Sequence, residues 1–213
     1  MGDWLMSPEN LSRELGLYRM GLALTWLAYC KENHVRLCVR TTFFELREFH
    51  VFDCQTHEVV PAPERCDCVA LSYIWGKEAT SPQQRLEKVV QDAVAVTQAL
   101  GFNYLWVDRI CINQTDIEDN RHQIRQMDLI YSNSALTIIA AVGSGPDYGL
   151  PGINGTPRKQ QRTVMFRNQS YLSTLPAGSY SIQQSKWNTR GWTYQECVLA
   201  PRRLVFTKDQ VLF

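Results

Sequence analysis

The succession strand, helix, strand, helix, strand between Cys68 and Val142 constrains this chain more than any other feature in it. Cys68 to Ile74 is a near-continuous apolar run, the pattern of a strand buried on both faces. Ser81-Pro82-Gln83-Gln84 then supplies a cap, a proline at the first helical position and a glutamine at the third. Leu86, Val89, Val90, Ala93, Thr97 and Leu100 follow on one face, and Gly101 ends the helix. Tyr104 to Val107 is the next strand. Thr115-Asp116-Ile117-Glu118 offers a capping box for a helix bearing Ile117, Ile124, Met127, Ile130 and Tyr131, and Ala135 to Val142 is a third strand. Crossovers long enough to hold helices let successive strands run parallel, so the pattern predicts an α/β fold: a parallel sheet with helices on both faces.

The flanks are less regular. From Pro8 to Tyr29, Leu11, Leu15, Leu22, Trp26 and Leu27 recur at helical spacing, which fits a helix covering a sheet face, a partner-binding helix or a surface anchor on a membrane. His34 to Val60 alternates like strands, with a hairpin turning near Gln55 to His57, and Pro61-Ala62-Pro63-Glu64 marks a break suited to a linker. Gly143 to Pro157 reads as a long exposed loop, followed by weak strands at Thr163–Arg167 and Ser179–Gln183. A helix from Trp187 to Leu199 and a strand from Arg203 to Thr207 come next. The division expected is a helical extension over residues 1–43 and a main domain over 44–213. Because the chain stops inside the apolar run Val211-Leu212-Phe213, that domain is expected to be cut from a longer protein.

Composition works by exclusion. A net charge of +1, with no basic stripe, gives no electrostatic footprint for nucleic acid. The apolar stretch Gly21 to Cys30 is shorter than the ~20 residues a membrane span needs. Seven cysteines without a secretory signal read as free thiols in a reducing, cytoplasmic compartment. Cys66-Asp67-Cys68 lacks a second ligand pair at zinc spacing, so no metal is expected.

In open parallel sheets ligands bind outside the carboxyl ends of the strands. Three turns should converge there: Trp75-Gly76-Lys77, then Asp108-Arg109 with Asn113-Gln114, then Gly143-Ser144-Gly145. Trp192 stands four residues before Glu196, a spacing that puts indole and carboxylate on one helical face. A carboxylate, aromatic rings, amides and arginines suit a sugar-linked base, since rings stack, carboxylates hold ribose hydroxyls and arginines meet phosphates. Ordinary roles stay open for each of them. Trp75, Trp106 and Trp192 would also fill a core, Asp108 would cap a turn or pair with Arg109 or Arg190, and Glu196 would pair with Arg202 or Arg203. A thiol hydrolase built from Cys111 or Cys197 with His122 is a second enzymatic reading. No phosphate-binding loop follows any strand, which disfavours an NTPase or a dehydrogenase.

Three segments in order, Ala70-Leu71-Ser72-Tyr73-Ile74-Trp75-Gly76, then Leu105 to Gln114 followed by Met127, Ile130 and Tyr131, then Arg190-Gly191-Trp192-Thr193-Tyr194-Gln195-Glu196, resemble the motifs of the fungal heterokaryon incompatibility (HET) domain. The resemblance runs from about Phe44 to Phe213. It implies an effector of nonself recognition and regulated cell death, itself remotely similar to Toll/interleukin-receptor (TIR) domains with their flavodoxin-like sheet. By that likeness Glu196 is the catalytic residue of NAD cleavage at the nicotinamide-ribosyl bond. Ser72, Tyr73, Trp75, Gly76, Asp108, Arg109, Asn113, Gln114, Arg190 and Trp192 would bind the substrate. NAD is then substrate rather than cofactor. The partners implied are further copies of the chain on activation and a sensor domain or incompatibility protein. A non-catalytic module that signals death by self-association is the alternative.

Overall fold

The computed structural model describes residues 8–34, 38, 46–76 and 86–213, with side chains of the first helix described from Met20 onward. That helix, α1 (Pro8–Asn33), buries Met20, Ala23, Leu27 and Cys30 at helical spacing and leaves Leu22, Leu24 and Tyr29 exposed. Met20, Ala23 and Leu27 lie in the same apolar cluster as Phe52, Leu105, Ile138 and Leu204 of the sheet, so the helix covers the core, the first of the three roles open to it. No helix among the described residues is long and apolar enough to cross a membrane.

Strands β1 (His50–Asp53) and β2 (Val59–Pro61) form the expected hairpin. The Asp53 carboxylate accepts the Gln55 and Thr56 N–H groups at 2.7 and 3.2 Å, and His57 sits at φ 61°. The hairpin joins the main sheet through antiparallel pairing of β1 with β4 (Tyr104–Trp106), so the proline-rich break after Val60 is a connection inside one sheet.

At the centre, β3 (Cys68–Ser72) runs parallel to β4 on one side and to β5 (Leu136–Ala140) on the other, and β5 runs parallel to β8 (Arg203–Phe206). A last strand, β9 (Val211–Leu212), closes the edge antiparallel to β8, giving seven strands in the order β2-β1-β4-β3-β5-β8-β9. The parallel sheet and its interior first strand are as the sequence predicts, with antiparallel strands added at both edges. Alternate residues of β5 divide between two clusters. Ile138 and Ala140 belong to the large core, while Ile139 and Ala141 pack with Val205 and Trp187 in a smaller one, joined by Ile182 and Cys197.

Several helices differ from their sequence patterns. Helix α2 (Lys88–Ala99) begins after Glu87, so Leu86 precedes it and the cap proposed at Ser81 to Gln84 lies outside the described residues. Its end follows the pattern: Gly101 adopts φ 81°, with Gly101 N–H bonded to Gln98 and Phe102 N–H to Thr97. The single helix expected after Thr115 is two, α4 (Ile117–Arg125) and α5 (Met127–Asn133). At the joint, Gln126 bonds both the carbonyl and the N–H of Arg47, at 3.0 and 3.3 Å. Asp116 is the N-cap of α4, but Ile117 and Ile124 face outward, because α4 meets the body through Gln123, whose amide donates to the Glu48 carbonyl at 2.9 Å.

Residues 143–157 are not simply exposed: Leu150, Ile153 and Thr156 are buried. The Asp92 carboxylate of α2 accepts the Leu150 N–H and the Thr156 hydroxyl, each at 2.8 Å, and also pairs with Lys88. Beyond them, β6 (Thr163–Phe166) pairs with β7 (Gln169–Leu172) as a separate hairpin, turning at Arg167 and Asn168 with φ 46° and 63°. The strand expected at Ser179–Gln183 is instead helix α6 (Gly178–Gln183), whose first residue lies so close to Leu212 that a Cβ there would come within 2.5 Å of it.

Candidate functional site

Ser72 ends β3 at the carboxyl edge of the sheet, and a buried polar cluster is built on it. Its hydroxyl donates to the Glu196 carboxylate in a short contact and accepts the Trp187 indole N–H at 2.6 Å. Glu196 lies in the short helix α7 (Thr193–Val198) and is 1% exposed. Arg190, just before that helix, bridges it to the sheet: one guanidinium nitrogen lies 3.5 Å from the other Glu196 oxygen, and a second donates to the Tyr73 carbonyl at 2.6 Å. Glu196 therefore pairs with Arg190 in the interior, not with Arg202 or Arg203 on a surface. Burial raises its carboxyl above the ordinary range, while Arg190 and Ser72 oppose the rise.

The turn after β4 adds a second acid. Asp108 opens helix α3 (Asp108–Cys111), is buried, and accepts the Arg109 N–H at 2.8 Å and the Trp75 indole N–H at 3.1 Å. Burial pushes it up to about 7; the nearby Glu196 charge adds to that, while the Arg109 N–H, Arg190 and the Trp75 N–H pull it down. Asp108 and Glu196 thus act on each other across one region, although 88 residues separate them in sequence. A third acid, Glu87, accepts the Tyr73 hydroxyl at 2.7 Å and the Arg109 guanidinium at 2.6 Å. Arg109 also donates to the Trp75 carbonyl at 3.0 Å and lies over its ring. The buried Tyr131 hydroxyl has no hydrogen-bond partner among the described residues. Burial raises its pKa well above the ordinary tyrosine range, with the charges of Glu196 and Asp108 as further causes.

Most residues marked in the sequence meet here: Ser72, Tyr73, Trp75, Asp108, Arg109, Arg190 and Glu196. Gly76, at φ 81°, lets the turn after β3 pack against Pro146 of the loop after β5, where a Cβ would come within 3.0 Å of that ring. Gln114 braces the turn by donating to the Asp108 carbonyl at 3.1 Å. Asn113 is exposed, and its side chain accepts the Thr115 N–H and hydroxyl at 3.1 and 2.8 Å, closing its own turn and not reaching the cluster.

Trp192 departs furthest from its expected place. The Glu196 N–H does bond the Trp192 carbonyl at 3.1 Å, one helical turn away, but the indole is 50% exposed and walls no slot beside the carboxylate. The buried indole is that of Trp187, which sequence spacing left as an anonymous helix residue. Nor is the Trp187–Leu199 stretch one helix: a turn of 3-10 helix spans Trp187–Thr189 and α7 starts at Thr193. Glu87 is likewise missed, as a helix-flanking position, while Tyr131 is marked by the second motif but not as a residue of the site. Cys111 is buried, which pushes its thiol up to about 12, and its sulfur bonds the Leu105 carbonyl and the Val107 N–H, a setting that does not favour a nucleophile. Trp106 fills the core against Tyr131, with ring centroids 5.6 Å apart.

The three motif segments fall within the span of the chain that matches a known family. The chain is similar to heterokaryon incompatibility protein 6, OR allele, of Neurospora crassa, at 29% identity over 142 residues, covering 54% of this chain and 21% of that protein. The chain thus spans about a fifth of that relative's length. No solved structure matches it. The family model for the heterokaryon incompatibility protein (HET) matches residues 69–196, more than half of the chain, from the second residue of β3 to the buried glutamate of α7, and the chain belongs to that family.

Proposed function

We propose that the chain is an effector domain of fungal incompatibility that hydrolyses NAD at the nicotinamide-ribosyl bond. The observation that carries this reading is the buried Glu196 carboxylate, fixed by Ser72 and Arg190 at the carboxyl edge of the central strand with Asp108 and Trp75 beside it. Support also comes from the parallel strands, which stand in the order 2-1-3-4, the start of the flavodoxin-like order, and the site lies where that order reverses. Cleavage passes through a ribosyl cation of oxocarbenium character, the charge that carboxylates stabilise in glycoside hydrolysis. Glu196 supplies the negative charge. Nicotinamide leaves with the bonding pair, water attacks the ribosyl carbon, and Asp108, poised near neutrality, takes the proton that water loses. Glu196 is enclosed, so substrate reaches it only after neighbouring residues move, and assembly of several copies is the gate this reading implies.

The test is free nicotinamide released from NAD by concentrated purified protein. Glu196→Gln keeps shape and removes charge, and should lower the rate ~10²–10³-fold with the fold intact. If wild type at high concentration releases no nicotinamide, the catalytic reading fails. A second reading, a non-catalytic module that kills by self-association, is favoured by the enclosure of Glu196, whose two oxygens are taken up within the protein. Under it Glu196→Gln kills cells as well as wild type at equal expression.

A further inference from the structure

We propose that Cys30, His34 and Cys38 form a zinc site at the end of α1. The three residues stand four apart, and the backbone carries them in register: the His34 N–H bonds the Cys30 carbonyl at 3.0 Å and the Cys38 N–H bonds the His34 carbonyl at 2.9 Å. Helix α1 ends at Asn33, so Cys30 lies in its last turn and His34 and Cys38 follow it. Their donor atoms all lie within 4.8 Å of one another. Tetrahedral zinc with Zn–S bonds of ~2.3 Å holds its sulfurs ~3.8 Å apart, so side-chain rotation of about an ångström closes the set.

The donor chemistry selects the ion. Two thiolates and an imidazole suit zinc and disfavour magnesium or calcium, which take oxygen ligands. Two thiolates also neutralise the dication. A partner behind the ligands is in place: the Arg202 guanidinium donates to the Cys30 sulfur at 3.3 Å and to the Ala135 carbonyl at 3.3 Å. Such a donor fixes the position of the Cys30 sulfur, as outer-shell groups do at metal sites. Three protein ligands leave a fourth position for water or a further ligand. Bound there, zinc would join Cys30, His34 and Cys38 around the end of α1, beside the Arg202 contact that already links Cys30 to Ala135.

The inference is independent of the Glu196 site, and its test does not use NAD. The full chain, reduced and stripped of metal, is titrated with cobalt(II) and then zinc(II). One equivalent of cobalt should give a thiolate charge-transfer band and the intense visible bands of a tetrahedral ion, lost when zinc displaces it. Thermal stability should rise with added zinc, since zinc binds the folded chain. His34 is exposed and Cys38 only part-buried, so His34→Gln and Cys38→Ser should fold while weakening metal binding by more than the ~10–100-fold lost with an outer-shell partner. Cys66→Ser should bind as wild type. Absence of the charge-transfer band, binding unchanged in Cys38→Ser, or a Cys30–Cys38 disulfide that persists in reductant would each overturn the proposal.

Discussion

Ser72 does two jobs with one hydroxyl, giving its proton to Glu196 and accepting the Trp187 indole. Ser72→Ala leaves both partners buried without it, at ~1–3 kcal/mol for each unsatisfied group, and the urea midpoint should fall accordingly. The two tryptophans near α7 should behave oppositely. Trp187, 2% exposed, should cost ~3–5 kcal/mol on replacement by Ala. Trp192→Ala should stay within ~0.5 kcal/mol in the same denaturation series. Asp108 gives a pH signature. Its carboxyl sits at about 7 when folded against an ordinary 3.8, so the folded state binds the extra proton. That contribution is fully present below pH ~4 and is lost as pH rises through ~7. Melting curves between pH 4 and 8 should show it, and Asp108→Asn should flatten the slope. Asp108 is readable as a polar residue after an apolar strand and Glu196 from its helical spacing after Trp192; Trp187 is not, because its meeting with Ser72 joins residues 115 apart in the chain.

Among the elements, α2 and the loop at 143–157 act together through Asp92, which no side-chain periodicity could reveal. Its carboxylate holds Leu150 and Thr156 from 58 and 64 residues away. Asp92→Ala removes the acceptor for both, at ~1–3 kcal/mol per group, and amide exchange at Leu150 should quicken well before global unfolding. Gly and Pro between 143 and 157 read correctly as irregular chain, but irregular chain packs when a buried acid collects an N–H and a hydroxyl from it. The α4–α5 break has the same origin. Local sequence favours one capped helix, and Gln126 instead spends its amide on the backbone of Arg47.

At the scale of the molecule, the end of α1 belongs to the core. Leu27 is buried in the cluster that holds Leu105, Ile138 and Leu204. Leu27→Ala should therefore lower global stability by ~2–5 kcal/mol within a single cooperative transition; a separate early melting of the helix alone would show that it is only an appendage. What sequence by itself determined was the alternation of buried strands with helices, and with it a parallel sheet whose first strand is interior. Apolar runs and glycine stops are local signals, and they follow from burial and backbone geometry alone. Tertiary structure alone decided the docking of the β1–β2 hairpin on β4, the edge strand β9, the two-cluster division of β5 and the pairing of Glu196 with Ser72 and Arg190. It also decided that Trp192 faces solvent while Trp187 is enclosed. Those outcomes depend on which residues, up to 124 apart in the chain, come to share one space.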